Sequence, residues 1–167
     1  YLDNVNSNIN QNDLVFLFAG GNDFTVGAGN PNTTLQNMIA HVNTLADSGA
    51  KEFVITNIPP IEKTPIYSSN TPSDILNAGN NIIYYNTQLV IEMSALASQR
   101  GLTIKVVDIH VMFNEIYYNG SFGGITNVID QACGYNTGTC NSNDIVANPD
   151  EFLFWDYVHP TRVVHNA

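Results

Sequence analysis

Positive charge is scarce in this sequence: five Lys and Arg stand against fifteen Asp and Glu in 167 residues, a formal net charge of −10. With no Lys/Arg cluster to displace counterions from phosphates, nucleic acid is excluded as a partner class. The same charge opposes long-range attraction to an anionic membrane surface, although an uncharged lipid could still enter an apolar cleft. Long apolar runs are also lacking. The longest, Leu14 to Ala19, has six residues, against the roughly 20 that a membrane-spanning helix needs. Cysteine is limited to Cys133 and Cys140, which enclose the turn-forming loop GYNTGT. Two free thiols are one state of such a pair. The loop chemistry favours the other, a disulfide worth about 2–3 kcal/mol. With the Asn-rich, Lys-poor polar content, this points to an oxidising location, secreted or periplasmic. The four histidines are dispersed without Cys or carboxylate ligand spacing, so neither a metal nor another cofactor is expected.

What is present reads as a globular chain. Hydrophobic residues make up 44% and charged ones 12%, enough apolar content for a single domain over residues 1–167. Three apolar stretches, 13–20, 51–59 and 102–110, have the near-continuous character of parallel strands covered on both faces. Helical periodicity fills the intervals. The first helix follows Asn32 or Thr33 as cap and stops at Gly49. The second starts near Ser73, carries Asp74 in its first turn and closes at Arg100-Gly101. Its apolar stripe is read as Ile82, Ile83, Leu89, Val90, Met93, Leu96 and Ala97. A shorter helical piece lies around Val111–Tyr118, and another after residue 160. Strands alternating with helices imply right-handed crossovers and an α/β fold with a parallel sheet. Strand 13–20 is as apolar as a central strand, yet little precedes it. An N-terminal segment that covers or pairs with it is therefore expected.

In an open parallel sheet, ligands collect beyond the carboxyl ends of the strands. Gly20-Gly21-Asn22-Asp23 and Asp108-Ile109-His110 fall there, and Asp156-Tyr157-Val158-His159-Pro160 occupies the last loop. Asp156 and His159 suit an orienting carboxylate and a general base, or else a capped helix start. Asn22 suits an oxyanion donor, because an amide donates without titrating and the preceding glycines admit a substrate, or else a Gly-Asn turn. Asp108 reads as a helix cap or as one half of a site pair with His110; His41 and His165 read as solvated helix residues. Phe24 and Trp155 read as walls of an acyl pocket or as core.

Taken together, LVFLFAGGNDF and FWDYVHPT resemble two blocks of the GDSL esterase/lipase family, the SGNH hydrolases. Gly20-Gly21-Asn22-Asp23 matches a Gly-x-Asn-Asp block and Asp156 through Pro160 an Asp-x-x-His-Pro block. NIPPIEKTP resembles a Pro-Pro segment of the same family. The resemblance implies a flavodoxin-like three-layer α/β/α sandwich, of which the strands here are the third to fifth. It implies hydrolysis of carboxylic esters, with lipids foremost and carbohydrate esters as an alternative. It assigns His159 as base, Asp156 as its partner and Asn22 to the oxyanion hole, with Gly20, Gly21 and Phe24 against the substrate. The family's Gly-Asp-Ser nucleophile block has no counterpart in the chain. Ser48 and Ser121 sit in unsuitable contexts, so the serine is expected on an N-terminal segment and the chain alone is expected to be inactive. The competing class is a non-catalytic α/β binding module, and a metal-dependent hydrolase using Asp156, His159 and Asp108 ranks below it.

Overall fold

The computed structural model describes residues 8–25, 29–119, 122–134 and 140–166. They fall into two compact units: one comprises residues up to Ile58 with Asn80–Ile109, the other Pro59–Gly79 with the chain from His110 onward.

The first unit is built on β1 (Leu14–Leu17), β2 (Glu52–Thr56) and β3 (Thr103–Val107), paired in parallel in the order β1-β2-β3. α1 (Gly21–Thr25) follows β1, α2 (Pro31–Asp47) links β1 to β2, and α3 (Pro72–Arg100) leads into β3. This is the α/β alternation expected from the sequence. Right-handed crossovers in a monotonic strand order place α2 and α3 on the same sheet face. Their contacts agree: Arg100 bonds to Asn43 and Asp47, and the Tyr84 hydroxyl donates to Asn32 Oδ1 at 3.0 Å. Phe53 and Ile55 point into that layer and are buried, together with Leu35, Met38 and Val42 of α2 and Ile82, Leu89 and Met93 of α3. The opposite face is exposed at β1. Leu14 and Phe16, in register with Glu52 and Val54, are 63% and 60% exposed. A groove of about 520 Å³ runs along the β1 edge beside His41, Thr44 and Leu45.

Two details differ from expectation. The α2 cap is Asn30, not Asn32 or Thr33: its Oδ1 accepts from the backbone N–H groups of Asn32 and Thr33, and Pro31 opens the helix. On α3 the buried stripe runs through Ile82, Tyr85, Asn86, Leu89, Met93 and Leu96, leaving Ile83 and Val90 exposed. The i, i+3, i+4 spacing selects Tyr85 and Asn86, which apolarity alone passes over.

In the second unit, α4 (Ile109–Asn119) packs with β4 (Asn127–Gln131), β5 (Phe152–Phe154) and α5 (Arg162–His165). β4 and β5 pair in parallel across an irregular register. Ile116, Ile125, Leu153, Phe154 and Val164 form the core between them. These two strands were not legible in the sequence: β5 has three residues, and the β4 register is interrupted.

Candidate active site

The loop after β5 carries Asp156 and His159, and backbone bonds fix it at several points. Trp155 N–H donates to the His159 carbonyl at 2.8 Å, Phe154 bridges to Pro160, and Thr161 bonds back to Phe152 and Leu153. Ile66 N–H donates to the Tyr157 carbonyl at 2.9 Å, so the IPPIEKTPIY segment braces the loop's tip. Within that segment Lys63 bonds to Asn114 and lies 4.0 Å from the Tyr118 ring centroid. From the other side, Cys133 N–H donates to the Trp155 carbonyl at 2.7 Å, and Cys133 is disulfide-bonded to Cys140. Cys133 therefore buttresses the residue preceding Asp156.

One turn aims both functional side chains. Asp156 Oδ1 accepts from the backbone N–H groups of Val158 at 2.8 Å and His159 at 2.7 Å. His159 Nδ1 lies 2.9 Å from Oδ2. Burial pushes the Asp156 carboxyl up, but the two backbone donors and the His159 ring more than offset it, holding the group below its ordinary range. In the tautomer that donates Nδ1–H to Asp156, His159 Nε2 presents its lone pair outward from a side chain that is 73% exposed. A buttressed carboxylate, an oriented imidazole and an exposed ring are together an arrangement able to take up a proton.

The second group of expected residues lies in the first unit. Gly20 adopts φ +98°, a left-handed conformation, and a Cβ there would stand 3.1 Å from Thr34 Cγ2 and 3.4 Å from Ile58 Cδ1. The chain then turns into α1, with Asp23 N–H donating to the Gly20 carbonyl at 3.1 Å. Gly29 crosses so close to the Asp23 carbonyl that a Cβ would sit 2.2 Å from its oxygen. Asn22 is exposed on this tight segment, whereas Phe24 is buried and meets the Tyr85 ring edge-on at 5.9 Å. The structure thus brings Asp156 and His159 into one unit, and Gly20, Gly21, Asn22 and Phe24 into the other.

The chain matches the family model described as GDSL-like Lipase/Acylhydrolase over residues 1–167. It belongs to the GDSL lipase/acylhydrolase family. Its curated relatives in that family and beyond are distant. The thermolabile hemolysin of Vibrio parahaemolyticus is 25% identical over 164 residues, covering 92% of this chain and 39% of the relative. The Arabidopsis thaliana GDSL esterase/lipase EXL2 is 28% identical over 178 residues, covering 91% and 46%. An acetylesterase of Thermothelomyces thermophilus is 30% identical over 82 residues, covering 48% and 27%. The GDSL chain therefore spans less than half the length of these relatives.

Asp108 accepts from the Asn57 amide at 2.8 Å, tying the carboxyl ends of β2 and β3 together. His41 and His165 are exposed, as their helix positions imply. Ser48 caps the far end of α2, while Ser121 lies outside the described residues. Among the described residues no group of three His, Cys, Asp or Glu could hold a metal ion, and no helix is long and apolar enough to cross a membrane. Sequence reasoning missed the floor of the glycine turn: Asn86 bonds both the N–H and the carbonyl of Ile58, at 2.9 and 2.8 Å, beside Tyr85. The signal was two polar residues at core spacing within an apolar stripe.

Proposed function

We propose that this chain is the base-bearing part of a secreted serine hydrolase that cleaves carboxylic esters, lipids foremost among them. The observation that carries the reading is the His159–Asp156 pair, oriented by backbone donors and open at Nε2. A serine on a segment N-terminal to the chain attacks the acyl carbonyl as His159 Nε2 takes its proton. Asn22 donates its side-chain amide to the oxyanion, and Gly20 and Gly21 leave room for the carbonyl. His159 then returns the proton to the leaving alcohol, and water or another alcohol releases the acyl group. Phe24 lies beneath the loop, so its contribution to substrate binding is to seat the turn.

The bare β1 edge supports the location of the serine. Leu14, Phe16 and Phe18 are each about 60% exposed, an arrangement that a strand and helix from the N-terminal side would cover. The relatives are more than twice as long as their matched parts, which leaves ample chain for that segment. The disulfide supports an oxidising compartment. A serine-reactive fluorophosphonate tests the reading on the protein at its natural length. Labelling on a serine of the preceding segment is expected. Ester hydrolysis that persists without labelling would remove the serine nucleophile from the account.

A further inference from the structure

Under the glycine turn lies a group for which the proposed chemistry has no use. Tyr85 is wholly buried, and its hydroxyl has no hydrogen-bond partner among the described residues. A buried, unpartnered hydroxyl costs about 1–3 kcal/mol, and a phenylalanine would fill the same space without that cost. The oxygen sits against the turn: a Cβ on Gly20 would lie 3.7 Å from it. The Tyr85 ring also meets Phe24, one residue beyond Asp23. Burial and then the Asp23 charge push the phenol up to about 12, so the hydroxyl remains a donor at any working pH. The Asp23 carboxylate, for its part, accepts no hydrogen bond from the described residues, and its backbone belongs to the same short turn. A buried donor without a partner therefore lies against Gly20, and the solvent-exposed Asp23 carboxylate follows Asn22 in the same turn.

We propose that Tyr85 and Asp23 are positioning residues for Asn22, joined by a hydrogen bond from the hydroxyl to the carboxylate that closes when an acyl oxyanion binds. At rest the hydroxyl is unpaired. Anionic charge at Asn22 draws the turn inward, and the Tyr85–Asp23 bond holds the amide on the oxyanion. The inference rests on the oxyanion role proposed for Asn22, and it uses groups that the base does not touch.

The test is Y85F, which removes only the oxygen, made in the protein at its natural length with a short-chain p-nitrophenyl ester as probe. The turnover number should fall about 10-fold with KM unchanged, the size of loss expected for a misaligned catalytic group. The thermal midpoint should hold or rise, because an unsatisfied group has left the core. D23A should show the same loss of turnover, and the double variant should be no worse than either single one. Wild-type turnover in Y85F, or additive losses in the double variant, would overturn the proposal. So would a lowered thermal midpoint, which would mean that the hydroxyl is already bonded at rest and can be read even without an esterase assay. Failure of the underlying reading has a different signature: wild-type hydrolysis that survives H159A.

Discussion

At the scale of the residue, Asp156 serves the fold and the site with different oxygens. Oδ1 closes the turn through two backbone N–H groups while Oδ2 faces His159 Nδ1. Because these donors favour the ionised form, the folded carboxyl titrates below its ordinary value of 3.8. Its charge therefore adds stability above that pH, and the contribution is lost as pH falls through the lowered folded value. D156N keeps the shape and Oδ1 but removes the charge. The gap in urea midpoint between wild type and D156N should close as pH falls below the ordinary carboxylate value. Unfolding curves at several pH values would check this; a gap that persists undiminished well below that value would contradict the assignment. The pair was legible in the sequence because an Asp-x-x-His turn is local, although spacing alone also allowed a capped helix start and only the resemblance of two blocks to one family assigned the roles.

At the scale of the element, two supports hold the functional segments in place. Asn86 of α3 satisfies both backbone groups of Ile58, against which Gly20 packs. N86A removes that partner from two buried backbone groups and should cost about 2–4 kcal/mol, measured as a lowered denaturant midpoint with an unchanged slope. The second support is the cysteine pair. Cys133 donates to Trp155, directly before Asp156. Reduction, or C133S with C140S, should cost about 2–3 kcal/mol and lower esterase activity through loosening of the His159 loop. Differential scanning calorimetry and rate assays with and without reductant would read both effects. These supports also mark where sequence reading ends. β1 to β3 and α2 to α4 were visible because apolar runs and helical stripes are periodic. Asn86 and Tyr85 were hidden because they are polar residues at core positions, and their partners are far away in sequence. β4 and β5 were hidden because strands of five and three residues are too short to display a period. The α2 cap was misplaced by two residues because Asn30, Asn32 and Thr33 are all good caps, and only the position of Pro31 decides among them.

At the scale of the whole molecule, the described residues carry the two candidate site segments on two compact units and leave the apolar side chains of β1 exposed. Under the proposed function His159 is the base, the Gly20–Asn22 turn faces the oxyanion, and exposed β1 receives the serine-bearing segment. The net charge of −10 opposes long-range attraction to anionic surfaces. The central claim is that His159 is the general base of an ester hydrolase. The most direct measurement is the rate of ester hydrolysis by the protein at its natural length, wild type against H159A, with folding confirmed by thermal unfolding. The account predicts a loss of about 10⁴-fold in turnover with the unfolding midpoint preserved; hydrolysis at the wild-type rate in folded H159A would contradict it.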